Sequence, residues 1–520
     1  EREAAALICA AVGHLPVAIA AAATAVAARG IALPLLAARV SARPLDGLLD
    51  GDGELRALLA RALEALPEAS RGRFALLGAL NAASFGLDPV AAIPTETGQE
   101  QTTEAVPALH SARMAVVIRD ALAALDVAGI GGDTADRTRA ADEEHLAAVA
   151  DDLGHLVRHS LLDATALPVA APRFGGERMP LGGQTRYVVH PLLMAYAVER
   201  LEQLDPAVAA VARRSIREYV LAFVERHQNE PRVLEHERDL LLAVLTQAWN
   251  EADYSVVVRL VAGLWHLVSR VGSAALTART LAWGISASQQ LNDQYHLARF
   301  LGRLGSLRYY HGETDQARQA WEASLEIAEQ LRGPSELWHP LANLAMLACA
   351  EGDLAHAQRY AEAYLRRAER DGGIPAVAGA LFKRGLCAHL EGDLDQAYAD
   401  LNACTRLLAL RGAGDKVAHD GIFEMAAQAE LARVQGDFAR AQHHMEIAVT
   451  LAEEVCDHYV VADLLLDQAR FARLQERQDE ARVLARRVVE VATRVEAHHL
   501  RLEGLNLLRQ LPEAAQLLPS

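Results

Sequence analysis

Aromatic residues make up only 5% of this 520-residue sequence, whereas alanine and leucine are abundant. That combination favours helices that pack closely through small side chains. Valine, isoleucine and threonine form no repeated alternating segments, which argues against a large β-sheet. We therefore predict a predominantly all-α chain, and its length indicates more than one domain.

Charged residues are missing between Ala4 and Ala28, a run long enough to span a bilayer. The run is largely alanine, however, and Gly13, His14 and Pro16 lie in its middle. A proline removes a backbone donor and clashes with the preceding turn, so the run is predicted to form two helices of a small domain. The acidic N-terminus also differs from the basic start of a signal peptide. No membrane role is expected.

Lysine is nearly absent, with Lys383 and Lys416 the two in the chain, and the net charge is −17. Both halves of the sequence are acidic, so neither offers the basic face that phosphate contacts need. Direct binding of nucleic acid by this chain is therefore not expected.

The five cysteines are scattered, and none forms a C-x-x-C pair. This usage is typical of reduced thiols in a cytoplasmic protein and gives no zinc site. His155 and His159 lie four residues apart beside Asp151 and Asp152, a spacing that suits a metal, but no third ligand follows at a typical spacing.

The C-terminal half contains an internal repeat. Five short segments, YHGETDQA, AEGDLAHA, LEGDLDQA, VQGDFARA and QERQDEAR, align on a turn position that recurs after 40, 40, 44 and 40 residues. The turn positions are Gly312, Gly352, Gly392, Gly436 and Glu476. Repetition at a fixed period of this size predicts stacked supersecondary units.

Each part of the repeat has a physical reason. Glycine adopts the left-handed conformation that ends a helix. An aspartate after it, as at Asp353 and Asp393, accepts hydrogen bonds from the free amides of the next helix. Small residues recur seven positions before and five after the turn, which lets two antiparallel helices approach closely. The earlier set is Gly305, Ala345, Gly385, Ala429 and Ala469, and the later set is Ala317, Ala357, Ala397, Ala441 and Ala481.

This pattern resembles the tetratricopeptide repeat family. The resemblance implies an α-solenoid of about five helix pairs over residues 295–510, in which a concave face binds peptides, proteins or small ligands. The adjacent pairs His443–His444 and His498–His499 point apart on a helix and are interpreted as surface residues.

The N-terminal half does not follow the repeat. Residues 52–80 read as two amphipathic helices separated near Pro67, and Leu161–Ala164 and Thr185–Val189 read as two short strands. Helices followed by a two-stranded ribbon are typical of a winged-helix module.

Three segments carry a second resemblance: GHLPVAI at Gly13–Ile19, YVVHPLLMAYAVERL at Tyr187–Leu201, and a helical stretch at Glu235–Leu267. They resemble the C-terminal portion of a signal-transduction ATPase of the NB-ARC type, the STAND class. The resemblance implies an ARC-like helical domain at 1–50, a winged-helix domain at 51–204 with an insertion at about 94–142, and a helical linker at 205–294 before the repeats.

Carried over by position, Pro16 would lie against the adenine of a bound nucleotide, and His190 would hydrogen-bond the β-phosphate of ADP. Pro191 stands where the family has aspartate, which is a departure from its pattern. A structural alternative is that His190 caps the helix Pro191–Leu201.

No G-x-x-x-x-G-K-[ST] segment occurs in the sequence, and no catalytic constellation is organised in it. We therefore expect a chain that is not an enzyme by itself. ADP or ATP would bind only together with a nucleotide-binding domain that we expect to lie outside this sequence.

The leading hypothesis is the regulatory and sensor part of a cytoplasmic STAND ATPase that regulates transcription. An inducer protein, peptide or small molecule would bind the repeats, control a nucleotide-dependent switch and permit self-oligomerisation. Two alternatives stay open: an interaction scaffold with no nucleotide role, and a defence or cell-death sensor with an upstream effector.

Overall fold

The computed structural model describes residues 2–11, 19, 22–23, 26, 32–42, 54–94, 133–166, 185–270, 273–331, 334–371, 373–410, 418–454 and 457–511. The chain forms two compact units. Unit 1 comprises residues 1–227 and 233–256, and unit 2 comprises 228–232 and 257–520. Helices dominate the described parts of both units, which confirms the predicted fold class.

Before the start of unit 2 proper the elements follow in this order: α1 (Arg2–Ala11), α2 (Leu33–Ala42), α3 (Glu54–Glu64), α4 (Glu68–Leu77), β1 (Ser84–Phe85), α5 (Leu87–Ala91), α6 (Asp133–Arg158), β2 (Asp163–Ala166), β3 (Thr185–Val188), α7 (Pro191–Glu202), α8 (Pro206–His227), α9 (Pro231–His236) and α10 (Arg238–Asn250). The predicted helix break near Pro67 is confirmed, because Pro67 is the N-cap of α4. Most of the predicted insertion, residues 95–132, lies outside the described residues.

The three strands form one antiparallel sheet in the order β1–β3–β2. Asp163 pairs with Val188 and Ala166 with Thr185 across the β2–β3 hairpin, so the two predicted strands are confirmed. The first begins two residues later than predicted, because Leu161 and Leu162 are buried in the core before the chain becomes extended. Strand β1 was not predicted, since two residues carry no periodic signal.

A buried ion pair ties β3 to the segment between α9 and α10. Arg186 donates to Glu237 over 3.1 Å, and the two side chains are only 12% and 10% exposed. Desolvation raises the pKa of Glu237 to about 7, although Arg186 and the backbone amide of Gly86 act in the opposite direction. This carboxyl is therefore poised to titrate near neutral pH.

Unit 2 is a ladder of antiparallel helix pairs. Its elements are α11 (Tyr254–Gly263, which begins in unit 1), α12 (Trp265–Arg270), α13 (Ala274–Gln290), α14 (Gln294–Tyr310), α15 (Thr314–Leu331), a 3-10 turn (Ser335–Trp338), α16 (His339–Ala350), α17 (Leu354–Asp371), α18 (Ile374–Glu391), α19 (Leu394–Ala409), α20 (Ala418–Val434), α21 (Phe438–Glu454), α22 (His458–Leu474), α23 (Gln478–Arg494) and α24 (His498–Gln510). We call the five pairs from α14–α15 to α22–α23 rungs 1 to 5.

The turns within the rungs have the predicted chemistry. All four turn glycines have positive φ, between 76° and 83°, and Glu476 takes the same left-handed conformation at 60°. Asp393 accepts from the backbone amide of Gln396 over 3.1 Å, and Asp353 caps α17 in the same way. The predicted helix ends and caps are confirmed.

Small residues hold the two helices of each rung together, as predicted. Ala317, Ala357, Ala397 and Ala481 are completely buried. In rung 1 a Cβ on Gly305 would lie 2.4 Å from the Trp321 ring, and the Trp321 indole donates to the carbonyl of Gly302 over 3.1 Å. Any side chain at position 305 would therefore push α14 and α15 apart.

The ladder curves until α14, the first helix of rung 1, meets α22 and α24 at the other end. The ring centroids of Tyr310 on α14 and Tyr459 on α22 are 4.7 Å apart. Those of Tyr309 and of His499 on α24 are 5.0 Å apart. We call these contacts the closure. They correct the interpretation of His499 as a surface residue, because the closure half-buries it.

The left-handed turns predict opposite effects of two substitutions. Gly392→Ala should destabilise unit 2 by about 1 kcal/mol, since no atom lies near the new Cβ and the cost is that of a left-handed L-residue. Glu476→Gly should stabilise it by a similar amount. Thermal or denaturant unfolding measures both.

Gly421→Ala is the matched control, because Gly421 lies in α20 without a positive φ and has only an ordinary contact to Leu451. It should be neutral or stabilising. Equal destabilisation by Gly392→Ala and Gly421→Ala would contradict the assigned role of the turns.

The Arg186–Glu237 pair predicts a pH effect on unit 1. The folded-state pKa of Glu237, about 7, is above its unfolded value of 4.5, so the folded state binds this proton more tightly. Its contribution to stability is full below pH 4.5 and is lost as the pH rises through 7. Unfolding curves at pH 5 and pH 8 should thus show a larger fall for the wild type than for Glu237→Gln; parallel behaviour would disprove the titration.

Candidate functional site

The first helix of each rung lies on the inner side of the curve. Successive first helices contact one another, from α14 to α16, α16 to α18 and α18 to α20. Residues 13 and 9 positions before each turn therefore occupy equivalent places, which we call the inner face. They are Arg299 and Arg303, His339 and Asn343, Gly379 and Lys383, Phe423 and Ala427, and Asp463 and Asp467.

The inner face changes character from rung to rung. Rung 1 contributes two arginines, rung 2 a histidine and an asparagine, rung 3 a lysine, and rung 5 two carboxylates. Rung 4 contributes only the partly buried ring of Phe423, because Ala427 is completely buried. A face that only needed to be solvated would gain nothing from separating charges of opposite sign in this way. The gradient instead gives the inner face two ends of opposite charge.

Rung 1 supplies the positive end. Among the described residues, neither Arg299 nor Arg303 has a carboxylate partner; Arg303 stacks its guanidinium 4.7 Å from the Trp265 ring centre and donates to the carbonyl of Ala262 over 3.3 Å. Desolvation lowers the pKa of Arg299, and desolvation with the adjacent Arg299 charge lowers that of Arg303 well below its usual range. Both groups remain partly accessible.

Rung 5 supplies the negative end. Asp463 is exposed on α22, although protein atoms around its carboxyl partly desolvate it. This desolvation and the neighbouring Asp467 raise its pKa to about 6, against the opposite effects of Lys383 and Arg470. Asp467 accepts from Arg433 over 3.5 Å, and Arg470 pairs with Glu503 over 2.6 Å. Asp463 is thus the carboxylate of this end that has no direct partner among the described residues.

Rung 2 contacts rung 1, and rung 3 is electrostatically coupled to rung 5. Desolvation lowers the pKa of Lys383 on rung 3. The charges of Asp463 and Asp467, two rungs away, act in the opposite direction and raise it. On rung 2, Asn343 donates to Ser306 over 3.3 Å, and the His339 ring lies 3.1 Å from the Tyr364 hydroxyl. Coupling between rungs 3 and 5 follows from the curvature, because these helices are 80 residues apart in the chain.

A cleft also lies between α21 and α23, lined by Gln442, Phe471, Arg477, Glu480 and neighbouring residues. Its charged groups already pair: Arg477 donates to Glu480 and to Gln442, each over 2.7 Å. These contacts describe a packed interface between rungs 4 and 5, so we regard the inner face as the better site.

His190 lies at the N-cap of α7 in unit 1. Its Nδ1 accepts the backbone amide of Leu192 over 3.2 Å, with Pro191 at the first helical position. The capping alternative is therefore observed. The nucleotide role of His190 stays a prediction. Pro16, the other predicted nucleotide contact, lies outside the described residues.

The structure gives Asp152 a packing role rather than a ligand role. Asp152 accepts from Ser70 over 2.9 Å and from Arg73 over 3.5 Å, which joins α6 to α4. The described residues hold no group of three His, Cys, Asp or Glu side chains placed to bind a metal. Within the same residues, no helix has the length and apolar character needed to cross a membrane.

Sequence reasoning missed the inner-face residues. The repeat alignment contained the signal, since positions 13 and 9 before each turn change from Arg–Arg to Asp–Asp along the ladder. Their common orientation became visible only once the curvature was known.

No protein-family model matches the chain, and a comparison with curated proteins gives no match. Among solved structures, it is similar to a STAND protein with a tetratricopeptide repeat sensor from Pyrococcus horikoshii, at 13% identity and TM-score 0.34, covering 94% of this chain and 68% of that one. A Rap protein complexed with competence and sporulation factor gives 13% identity and TM-score 0.39, covering 62% and 91%. Yeast Tom70 gives 14% and 0.28, covering 77% and 82%. Similarities this weak support no conclusion about function.

The inner face predicts a pH effect that Asp463→Asn removes. The folded-state pKa of Asp463, about 6, exceeds its unfolded value of 3.8, so the stability from its protonation is full below pH 3.8 and lost as the pH rises through 6. The melting temperature of the wild type relative to Asp463→Asn should fall between pH 4.5 and 7.5, a range chosen to bracket that pKa. Asp479→Asn, 95% exposed on α23, is the control and should track the wild type.

Proposed function

We propose that this chain is the regulatory and sensor part of a STAND signalling ATPase that controls transcription. In this proposal the inner face of unit 2 binds an inducer, and unit 1 transmits that event to a nucleotide-dependent switch.

The observation that carries the sensor role is the charge separation on the inner face. Arg299 and Arg303 at one end are partly buried and Asp463 at the other end is exposed on α22; among the described residues, none of the three has an opposite charge in direct contact. Desolvation of such groups costs stability, and a bound ligand of complementary charge would offset that cost. This pattern is typical of a binding site.

The architecture of unit 1 supports the transmitting role. Helices α4, α5 and α6 precede the β2–β3 hairpin, in the order that the winged-helix resemblance implies. His190 stands between the hairpin and α7, where the resemblance puts the residue that contacts ADP. With Nδ1 engaged as the helix cap, a hydrogen bond from the ring to a phosphate oxygen would have to come from the other ring nitrogen, Nε2.

The switch then follows from differential binding. An inducer that binds the activated state more tightly than the resting state shifts the population toward activation, and the free-energy coupling works equally in the other direction. Loss of ADP would in turn increase the affinity for inducer. Self-oligomerisation of the activated state belongs to the same proposal.

The test separates capping from nucleotide binding at His190. His190→Ala removes both the cap acceptor and the donor, whereas His190→Asp keeps a cap acceptor and cannot donate. In the full-length protein, purified and denatured to release nucleotide, both variants should retain far less ADP than the wild type. Only His190→Ala should lose about 1 kcal/mol of stability.

ADP retention by His190→Asp at the wild-type level would contradict the nucleotide role. A full-length protein that holds no nucleotide in any form would leave the interaction scaffold, in which only the repeats act, as the function.

A further inference from the structure

Two cysteines meet where the first helices of rungs 2 and 3 pack together. Cys349 lies near the end of α16 and Cys387 near the end of α18, and their sulfur atoms are 3.1 Å apart. Both are free thiols in this structure. The two residues are 38 positions apart in the chain, so the stacking of neighbouring rungs brings them together. A disulfide bond is about 2 Å long, so the two sulfurs need to approach by only about 1 Å to form one.

We propose that Cys349 and Cys387 form a reversible redox-modification site, which a hydroperoxide converts to a disulfide between α16 and α18. The oxidant is a small hydroperoxide such as hydrogen peroxide, which accepts the two electrons that the thiols lose. This inference goes beyond the proposed sensor function and does not depend on it.

The two thiols differ in their access to solvent, and this difference assigns their roles. Cys349 is partly exposed, whereas Cys387 is 1% exposed inside a cluster of buried alanines. The alanines of that cluster are Ala345, Ala348, Ala357 and Ala361. A peroxide molecule therefore reaches the sulfur of Cys349 first, and Cys387 is the second thiol that completes the disulfide.

The contact between the thiols favours ionisation of Cys349. Once Cys349 ionises, Cys387 donates to its sulfur, and this hydrogen bond lowers the pKa of Cys349, while burial and the Glu391 carboxylate act in the opposite direction. The same contact raises the pKa of Cys387, together with its burial. Because the thiolate is the nucleophile that attacks a peroxide, the more accessible sulfur is also the more reactive one.

The oxidation proceeds in two steps. The Cys349 thiolate attacks one oxygen of hydrogen peroxide, the O–O bond breaks, and the departing hydroxide takes the proton that Cys349 lost, which gives water and a sulfenic acid. The sulfur of Cys387 then attacks the sulfur of Cys349, the S–O bond breaks, and hydroxide leaves with the Cys387 proton as a second water. Two thiols and one peroxide thus give one disulfide and two waters, and a dithiol reductant reverses the change.

The disulfide fixes the spacing between two rungs. Helices α16 and α18 are neighbouring first helices on the inner face, and the rotation between such neighbours accumulates into the curve of the ladder. The bond also closes a loop across the 38 positions between the two cysteines and so restricts the unfolded chain. The oxidised protein is therefore more stable than the reduced one.

The experiment treats the full chain with hydrogen peroxide, blocks the remaining thiols with N-ethylmaleimide and maps the digested protein by mass spectrometry without reductant. The expected product is a pair of peptides joined through Cys349 and Cys387, lighter than the two reduced peptides by two hydrogen atoms. Dithiothreitol should restore both thiols. The melting temperature of the oxidised protein should exceed that of the reduced protein by about 5–10 °C.

Two variants separate the roles of the thiols. In Cys387→Ala, whose new side chain suits the surrounding alanines, Cys349 should stop at the sulfenic acid that dimedone traps, and oxidation should not raise the melting temperature. In Cys349→Ala, the buried Cys387 should stay reduced.

Cys404→Ala is the matched control. Cys404 is completely buried on α19, and burial raises the pKa of its thiol to about 12. This variant should form the disulfide as the wild type does, and in the wild type Cys349 should react with peroxide about tenfold or more faster than Cys404.

Three results would each overturn the proposal. They are recovery of both Cys349 and Cys387 as free thiols after peroxide treatment, a bond from Cys349 to a different cysteine or to a second copy of the chain, and oxidation of Cys404 as fast as Cys349. Failure of the nucleotide experiment with His190, by contrast, would remove the switch and leave this modification site intact.

Discussion

The close approach of two antiparallel helices through small residues is the constraint on which unit 2 depends. The Trp321 ring at Gly305 and the Leu401 side chain at Gly385 occupy the space of a Cβ, and the alanines at the equivalent places of the other rungs are buried. A left-handed turn and an aspartate cap give the two helices the short connection that this contact requires. Repetition of one geometry at every rung then turns a local contact into a regular curve.

The curve gives the inner face its chemistry. First helices crowd together on the inside, and after five rungs Tyr309 and Tyr310 reach α22 and α24. Without that closure, Asp463 and the arginines of rung 1 would be solvated charges on separate helices. With it, Asp463 comes within electrostatic range of Lys383 on rung 3, although 80 residues separate them in the chain. The same geometry that stabilises the ladder therefore brings charged groups of rungs 3 and 5 close to one another.

The repeat and its packing were predictable from the sequence because each depends on local chemistry. Glycine at a left-handed turn, aspartate at the cap and alanine at the contact all recur at fixed spacing, and the structure confirms them. The inner face was not predictable, since it depends on how far the ladder curves, a small rotation accumulated over many helices. His499 shows the difference: adjacent to His498 it reads as a surface residue, yet the closure packs it against Tyr309. Strand β1 was too short to give a pattern. The pairing of Arg186 with Glu237 was also not predictable, because the two residues are 51 positions apart in the chain.

The central claim is that the ladder closes and thereby creates the inner face. A distance measurement between spin labels at Asp315 on α15 and Leu502 on α24, with the native cysteines replaced by serine, tests this most directly. Both positions are exposed and lie within four residues of His311 and His498, whose rings are 5.6 Å apart. A closed ladder should give one narrow distribution at the short end of the measurable range. Because neighbouring helix axes lie about 8–10 Å apart, an open ladder would separate the labels by several tens of ångströms, and that result would contradict the account.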